Sequence, residues 1–309
     1  MSKKLSIVVP VYNEGNQVLL VYKVINDLMD LNKIDLELIF VDDGSEDDSF
    51  LHLSKLAEKD YRVKVIKLLS NCGAHMSIRA GLENATGDMA VFIACDLQEP
   101  AELIPDMIKK LTAKTDIVLA VRNNREDSLK DKLFSKLFFW IMKKFVSSKF
   151  PGSGSSMYLL GERALKSIKE YPERNMTLEG VFILNNFNYD VVFYDRLERQ
   201  KGDSKWTFSN KIKIFIDFFV AYSYLPIRMV SIVGILFFIV GILWTGYLIA
   251  RYFILNDFEP GWPMLIAILL LGFGITNISL GIIAEYLWRT LDESRRRPKY
   301  IIDEMINCK

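Results

Sequence analysis

Residues 36–45 have the sequence LELIFVDDGS, an apolar run that ends in two aspartates, a glycine and a serine. A short apolar run bounded by turn residues predicts a buried strand. The glycine permits a tight turn, and the acidic residues at 46–48 favour a helix start, because carboxylates stabilise a helix N-terminus. This stretch therefore predicts a strand, a turn that carries carboxylates, and a helix.

The same alternation of strand and helix continues on both sides of this stretch. The predicted strands are residues 5–10, 36–41, 63–68, 89–94 and 117–121. The predicted helices between them are residues 17–29, 46–57, 74–85 and 103–111. Strands that alternate with helices predict an α/β domain with a mostly parallel sheet, covered by helices on both faces.

Polar residues follow four of the predicted strands, at the edge of the sheet where ligands bind in such folds. They are residues 12–14, 42–43, 71 and 96–99. The carboxylates at 42–43 can accept a hydrogen bond from a nucleobase, although an Asx-type turn explains them without a ligand. The oxygens at 96–99 can hold a hard cation such as Mg²⁺ or Mn²⁺ beside a diphosphate, although a structural turn explains them equally well.

Charge and cysteine content argue against several classes of protein. The 309 residues carry a net charge of +1, so no general basic field attracts nucleic acid. Three cysteines without C-x-x-C spacing and only two histidines favour neither a zinc cage nor a disulfide framework. The first apolar run is too short for a signal peptide, so we expect this domain to be cytoplasmic.

Two long apolar runs without a charged residue lie at 229–250 and 265–283. About 20 apolar residues in a helix cross the hydrocarbon core of a bilayer, so both runs predict transmembrane helices. Basic residues at 228 and 289–299 place both ends of the pair in the cytoplasm by the positive-inside rule. Two buried helices of a soluble core are disfavoured, because such cores rarely contain uncharged runs this long.

Two further segments indicate contact with the membrane surface. Residues 130–149 place lysines opposite phenylalanines and a tryptophan, which predicts a helix in the headgroup layer, although a helix packed on the domain fits too. Residues 209–224 repeat this pattern. Between them, the basic stretch 199–206 can bind phosphates or lipid headgroups.

The order of the motifs is more specific than any one of them. They are VVPVYNE at 8–14, VDDGS at 41–45, Gly81-Leu82 with Gly87-Asp88, DLQEP at 96–100, KGDSKW at 201–206, and the two apolar runs. In this order they resemble the family-2 glycosyltransferases of GT-A fold. Within that family the chain is similar to the polyprenyl-phosphate branch of bactoprenol glucosyltransferases and dolichyl-phosphate mannose synthases, from residue 5 to residue 300.

The resemblance implies a GT-A, Rossmann-like α/β domain with interfacial amphipathic helices and two C-terminal transmembrane helices. The implied division is a catalytic domain at 1–207, a juxtamembrane helix at 208–226, two spans within 227–288 and a cytoplasmic tail at 289–309. We expect a multi-pass protein of the inner (plasma) membrane with its catalytic domain in the cytoplasm. Glycines in the second span would allow close helix packing, so a homo-oligomer is expected.

The resemblance also implies roles for individual residues. Those that would line the nucleotide pocket are Pro10, Tyr12, Glu14 and Asp43, with Asp42 in support. Asp96 and Gln98 would meet Mg²⁺ or Mn²⁺ and the diphosphate, and Glu99 completes this catalytic turn. Those that would bind phosphates of the donor or the lipid are Arg199, Ser204, Lys205 and Ser156.

The implied reaction moves a sugar with inversion from a nucleotide sugar, expected to be a UDP-hexose, to a polyprenyl phosphate such as undecaprenyl phosphate, for surface glycan decoration. A different lipid acceptor such as diacylglycerol stays open. The chain departs from the family pattern at Ala94 and Ser156, where relatives carry aspartate. These departures leave a second hypothesis, a catalytically impaired relative that binds nucleotide sugar or scaffolds a partner transferase.

Overall fold

The computed structural model describes residues 3–123, 140, 155–170, 182, 185, 187–195, 254, 261–294, 298 and 300–308. The chain divides into two compact units. The first contains residues 1–207 together with 298–309, and the second contains residues 208–297. The second unit is therefore inserted into the first, whose chain continues after it.

The described part of the first unit contains one eight-stranded sheet and five helices. The strands are β1 (Leu5–Val11), β2 (Leu36–Asp42), β3 (Val63–Leu68), β4 (Met89–Phe92), β5 (Ile117–Arg122), β6 (Ser155–Leu160), β7 (Tyr189–Tyr194) and β8 (Ile302–Ile306). The helices are α1 (Gln17–Leu31), α2 (Ser49–Lys59), α3 (Ala74–Asn84), α4 (Leu103–Lys110) and α5 (Glu162–Glu170). All nine elements predicted between residues 5 and 121 are present.

The strand order is β7-β5-β6-β4-β1-β2-β3-β8. Neighbours β4, β1, β2 and β3 pair in parallel, as do β5 and β7, whereas β6 and β8 pair antiparallel to their neighbours. Six strands therefore run in one direction, and their carboxyl ends meet at one edge of the sheet, called here the ligand edge. The predicted α/β class with a mostly parallel sheet is confirmed.

The core explains why these residues form a sheet with helices against it. Strands β1 and β2 are buried along almost their whole length, as expected for apolar strands covered on both faces. Helix α1 buries Val18, Val21, Ile25 and Met29, which share one helical face. Helix α3 packs on β1 at Gly81, where a Cβ would collide with Val8. Glycine is therefore required at this close approach.

Strand β8 was not predicted from the sequence, which assigned residues 289–309 to a tail. It pairs antiparallel with β3, from Val65 opposite Ile306 to Leu68 opposite Ile302. Its residues IDEMI have only a weak apolar pattern, so their structure depends on a partner that is more than 230 positions away in the chain. Tertiary pairing rather than local preference makes this strand.

Helix α6 (Trp262–Ser294) belongs to the second unit and includes the predicted span 265–283. The span at 229–250, the amphipathic segment 130–149 except for residue 140, and the juxtamembrane segment 208–226 lie outside the described residues. Within the residues that the structure describes in full, no helix has the length and apolar character needed to cross a membrane. Both transmembrane helices remain predictions.

Candidate functional site

Four loops meet at the ligand edge. They are named after the strand that each follows: the β1 loop (12–16), the β2 loop (43–48), the β3 loop (69–73) and the β4 loop (93–102). They carry most of the polar motifs that the sequence singled out. Because parallel strands end at the same edge, the fold brings together residues that are up to 90 positions apart in the sequence.

The β1 and β2 loops are joined by reciprocal hydrogen bonds. The backbone N–H of Asn13 donates to Ser45 Oγ at 3.0 Å, and the backbone N–H of Glu46 donates to Asn13 Oδ1 at 2.9 Å. Asn13 has a φ of 54°, a left-handed conformation that asparagine tolerates better than most residues. Its side chain thus links two loops that no local sequence signal connects.

The start of helix α2 binds the rest of the β1 loop. Ser49 Oγ accepts hydrogen bonds from the backbone N–H groups of Glu14 at 3.0 Å and Gly15 at 2.8 Å, and Asp47 Oδ2 accepts a second bond from Gly15 at 3.0 Å. Each such bond contributes about 1 kcal/mol. Sequence reasoning missed Asp47 and Ser49, although their spacing at a helix start is typical of capping residues. Together they fix the backbone on either side of Glu14.

Asp43 connects the β2 loop to the β3 loop. Its Oδ1 accepts the backbone N–H of Cys72 at 2.8 Å, and its Oδ2 accepts that of Gly73 at 2.8 Å. The two loops are so close that a Cβ on Gly44, whose φ is 72°, would lie 2.9 Å from the carbonyl carbon of Ser70. Asp43 therefore holds loop backbone with both carboxylate oxygens.

Asp42 differs from Asp43 in the hydrogen bonding of its carboxylate. Its Oδ2 accepts a weak bond from the backbone N–H of Ser45 at 3.4 Å, whereas its buried Oδ1 has no hydrogen-bond partner among the residues that the structure describes. Burial raises the pKa of Asp42, because the charged form loses hydration. An unpaired buried acceptor at this edge is a group that a ligand N–H can satisfy. The resemblance assigned Asp43 to the lining of the nucleotide pocket and Asp42 to a supporting role, and both residues lie at the ligand edge.

Tyr12 and Glu14 lie at the same edge as the β4 loop. Tyr12 is 41% exposed, so an aromatic base can reach it, and Pro10 lies two residues earlier on β1. Burial is the main cause that raises the pKa of the Cys95 thiol, and the negative charges of Glu14 and Asp96 raise it further. The charges of two carboxylates from different loops therefore both act on this one thiol.

The β4 loop presents Asp96 and Gln98 from a constrained backbone. Leu97 between them has a φ of 50°, and the backbone N–H of Gln98 donates to Asp96 Oδ1 at 3.2 Å. Gln98 is 3% exposed, and its buried Oε1 has no hydrogen-bond partner in the described part of the chain. The left-handed backbone conformation of Leu97 is uncommon for a residue with a Cβ, and such conformations occur often at functional sites.

A divalent cation fits this loop only with help from a substrate. Within the described residues no group of three or more histidine, cysteine or acidic side chains forms a metal cage. Asp96 supplies a carboxylate and Gln98 an unpaired amide oxygen, whereas Ala94 supplies no side-chain oxygen. Mg²⁺ is commonly bound by one or two protein oxygens together with substrate phosphates and water. The donor set is compatible with that mode of binding.

Glu99 is bound to the ends of β5 and β7. It is buried, accepts a hydrogen bond from Tyr194 OH at 3.3 Å, and lies 3.7 Å from Nη2 of Arg122. The Nε of Arg122 donates to Tyr194 OH at 3.4 Å. Each of the three groups contacts the other two, so the carboxylate lies where it can orient the guanidinium. The catalytic role predicted for Glu99 stays a prediction.

The predicted phosphate-binding residues are only partly within the structure. Strand β6 starts at the ligand edge, because it runs antiparallel to β5, and Ser155 pairs with Val121 there. Ser156 follows in the strand, so its backbone lies near the ends of β4 and β5. Arg199, Ser204 and Lys205 lie outside the described residues. Their roles remain predictions.

Comparison with known proteins adds independent information. Residues 6–166 match the model of the family described as Glycosyl transferase family 2. The chain is 32% identical over 301 residues to a prophage bactoprenol glucosyl transferase homolog of Escherichia coli (strain K12), which covers 97% of this chain and 98% of the relative. It is also 32% identical over 301 residues to the bactoprenol glucosyl transferase of Shigella phage SfV, with 97% and 98% covered.

Other similar proteins have less specific names. The putative glycosyltransferase CsbB of Bacillus subtilis (strain 168) is 32% identical over 303 residues, with 97% of this chain and 91% of the relative covered. Among solved structures, glucosyl-3-phosphoglycerate synthase from Mycobacterium tuberculosis in complex with Mn²⁺ and UDP-glucose has a TM-score of 0.46 at 17% identity. That match covers 69% of this chain and 75% of that one.

Proposed function

Because the chain belongs to glycosyl transferase family 2 and is a glycosyltransferase, we propose that it transfers a sugar from a nucleotide sugar to a polyprenyl phosphate. The donor is proposed to be a UDP-hexose and the acceptor undecaprenyl phosphate. One structural observation carries the proposal: the unpaired Gln98 Oε1 beside Asp96, at an edge where four loops converge. The similarity to bactoprenol glucosyl transferases, which extends over both units, supports the lipid acceptor.

The nucleotide is proposed to bind between the β1, β2 and β3 loops. The exposed ring of Tyr12 would stack on the base, and Pro10 would limit the pocket beneath it. The unpaired Oδ1 of Asp42 would accept an N–H of the base, while Asp43 holds the β3 loop in place. Glu14, whose backbone is fixed by Ser49, would contact the ribose side of the donor. Preformed loops of this kind reduce the entropy lost on binding.

The diphosphate is proposed to lie at the β4 loop. Asp96 and Gln98 would hold Mg²⁺ or Mn²⁺, which supplies positive charge to the leaving diphosphate. The left-handed backbone at Leu97 keeps these two side chains in a fixed relation before substrate arrives. The cluster of Glu99, Tyr194 and Arg122 would hold a cationic group near the same loop. Fixed charges and dipoles of this kind stabilise a transition state without reorganisation.

The chemical step needs positioning more than proton transfer. An oxygen of the acceptor phosphate would form a bond to the anomeric carbon, while the bond from that carbon to the diphosphate oxygen breaks. The leaving nucleoside diphosphate takes the electron pair, and the anomeric configuration inverts. The nucleophile is already an anion, so no strong general base is required. Ser156 and Ser204, together with the basic residues Arg199 and Lys205, are proposed to bind the phosphates.

The proposal includes a membrane anchor built from the second unit. The chain leaves the first unit at residue 207 and re-enters it at residue 298, where strand β8 follows. Both ends of the second unit therefore connect to one domain, which supports an even number of membrane crossings, as two spans require. We propose a homo-oligomeric protein of the plasma membrane whose catalytic domain faces the cytoplasm and whose product serves surface glycan decoration.

The experiment is a transfer assay on the purified full-length protein. Labelled nucleotide sugars are incubated with undecaprenyl phosphate and Mg²⁺ or Mn²⁺, and lipid-linked product is measured. The expected result is product with at least one UDP-hexose, dependent on the cation and on the lipid. Diacylglycerol as acceptor provides the matched control. Transfer to diacylglycerol but not to the phosphate lipid would contradict the proposed acceptor.

A second candidate function is favoured by one observation. Ala94 supplies no carboxylate to the β4 loop, at a position where the family pattern has aspartate. A catalytically impaired relative would bind nucleotide sugar, or organise a partner transferase, without turnover. Binding of UDP-sugars by calorimetry, together with no lipid-linked product from any donor, would favour this candidate.

A further inference from the structure

The last strand of the chain lies directly beside the β3 loop. Strand β8 pairs with β3 up to Leu68, and the backbone N–H of Leu69, the first residue of that loop, donates to the carbonyl of Ile301 at 2.9 Å. Ordered pairing thus extends past the end of β3 into the loop. Without β8, β3 would be an edge strand and the N–H of Leu69 would lose this partner.

Side chains strengthen this contact on two sides. Tyr300 OH donates to Glu83 Oε2 at 2.6 Å, and the other oxygen of Glu83 accepts Nε of Arg79 at 2.9 Å. Glu83 and Arg79 lie on helix α3, and Arg79 is only 3% exposed. Lys67 on β3 forms an ion pair with Asp303 of β8 at 3.2 Å. The segment 300–303 therefore contacts both the strand before the β3 loop and the helix after it.

The loop held in this way is the one that Asp43 binds. Asp43 accepts the backbone N–H groups of Cys72 and Gly73, and helix α3 begins at the next residue, Ala74. The loop is only five residues long, so a shift of β3 or α3 moves those N–H groups relative to the carboxylate. The geometry of the nucleotide side of the ligand edge thus depends on residues near the C-terminus.

We propose that Tyr300 and Asp303 are positioning residues for the donor nucleotide, acting through the β3 loop and helix α3. The proposal rests on the proposed function for the identity of the ligand, a nucleoside diphosphate. Neither residue is placed against substrate; each holds backbone that Asp43 uses. The C-terminal segment is accordingly part of the donor site, although it follows the whole second unit in sequence.

The three cysteines of the chain provide reporters of this effect. Cys72 lies in the β3 loop and is half-buried, Cys95 is buried near Asp96, and Cys308 follows β8. Burial raises the pKa of both Cys95 and Cys308, which slows their alkylation, because the thiolate is the reactive form. Peptide mass spectrometry after timed iodoacetamide treatment measures each thiol separately in the full-length protein.

The variants are Tyr300→Phe and Asp303→Asn, with Glu304→Gln as a matched control. Glu304 is an exposed carboxylate on the same strand, paired through its backbone opposite Lys67, whereas the ion pair above joins Lys67 to Asp303. Tyr300→Phe removes a hydrogen bond to a charged group, which should increase the fraction of time that the β3 loop is locally open by about tenfold. Because Cys72 reacts when the loop is open, we expect its alkylation to accelerate about tenfold. Asp303→Asn should give a smaller increase, and Glu304→Gln none. The alkylation rate of Cys95 should stay constant.

Equal Cys72 rates in the wild type and both variants would overturn the proposal. A parallel rise at Cys95 would overturn it as well, because it would show general destabilisation rather than an effect on the loop. These rates need no substrate, so they decide on the role of β8 even if the proposed donor is wrong.

Nucleotide binding tests the second part of the proposal, the effect of these residues on binding of the donor. UDP should slow the alkylation of Cys72 in the wild type, and Tyr300→Phe should weaken UDP binding about tenfold by calorimetry. In the transfer assay the donor KM should rise while kcat and the acceptor KM stay near wild type. Unchanged UDP affinity in Tyr300→Phe, when the wild type binds UDP, would overturn the inference. Failure of the wild type to bind any nucleoside diphosphate would instead contradict the proposed function.

Discussion

Lys64 Nζ lies 2.6 Å from Oε1 of Glu37, a carboxylate whose side chain is 1% exposed at the edge of the sheet opposite the ligand edge. Ser6 and Thr86 donate hydrogen bonds to the same carboxylate, so β1, β2, β3 and the turn before β4 meet at one buried charge. Removal of one member from such a buried pair typically costs more than a surface ion pair contributes, because the remaining charge loses its partner.

The first prediction concerns pH-dependent stability through Glu37. Burial alone would raise its pKa, but hydrogen bonds from Lys64, Ser6 and Thr86 lower the pKa to about 2. Its contribution should be complete above the ordinary value of 4.5 and should disappear as the pH falls towards 2. Glu37→Gln should lower the free energy of unfolding by about 3 kcal/mol at pH 7. Thermal unfolding of both proteins between pH 7 and pH 3 should show the difference shrinking at low pH; a constant difference would contradict the assignment.

The second prediction uses the same chemical change at two adjacent aspartates. Asp43→Asn places an NH₂ group against a backbone N–H of the β3 loop, so we expect a lower melting temperature and UDP binding weaker by about tenfold. Asp42→Asn removes a buried charge with a raised pKa and can keep an acceptor oxygen, so stability should be unchanged or higher. Calorimetry and thermal unfolding on both variants test this. Equal losses of stability in the two would show that the two carboxylates have the same role.

The third prediction is that Asp96→Ala abolishes transfer without unfolding the domain. Asp96 is the only carboxylate that the 94–98 part of the β4 loop offers to a cation, and removal of a group that stabilises transition-state charge commonly costs about 100-fold or more in rate. Initial rates and melting temperature are the measurements. Asp106→Asn, an exposed carboxylate on α4, is the control. Activity near wild type in Asp96→Ala would remove this residue from metal binding.

The fourth prediction concerns Ala94. Replacement by aspartate adds a second carboxylate to the β4 loop, so the concentration of Mg²⁺ or Mn²⁺ that gives half-maximal rate should fall several-fold. Ala94→Asn provides a control of nearly the same size without the charge. The measurement is a metal titration of the initial rate in both variants. The same titration midpoint in Ala94→Asp and wild type would place residue 94 away from the cation.

The fifth prediction separates orientation from proton transfer at Glu99. Glu99→Gln keeps the shape of the side chain but removes the charge that faces Arg122, so the rate should fall by about tenfold. The shape of the pH–rate profile should not change, since a positioning group does not exchange a proton in the reaction. Tyr194→Phe should give a smaller loss with the same profile. Disappearance of one limb of the profile in Glu99→Gln would instead identify Glu99 as a general base.

The features predicted correctly from the sequence are those that depend on local interactions, and the features missed depend on partners distant in sequence. The elements between residues 5 and 121 were predicted because apolar periodicity and turn residues are local signals. Strand β8 and the bonds from Asp47 and Ser49 to the β1 loop were missed, since their partners are distant in sequence. The contacts of Glu99 with Tyr194 and Arg122 also depend on a long-range interaction, the pairing of β5 with β7, and its catalytic role stays a prediction.

The sequence by itself determined the α/β class, the strand ends where polar residues collect and the family, because these depend on local patterns and on the order of motifs. Only the tertiary structure decided that Asp42 Oδ1 and Gln98 Oε1 have no hydrogen-bond partner among the described residues. It also decided that both carboxylate oxygens of Asp43 accept backbone N–H groups. It also decided that the end of the chain completes the sheet. The physical reason is that these hydrogen bonds join segments that are distant in sequence, so the fold determines which atoms become partners.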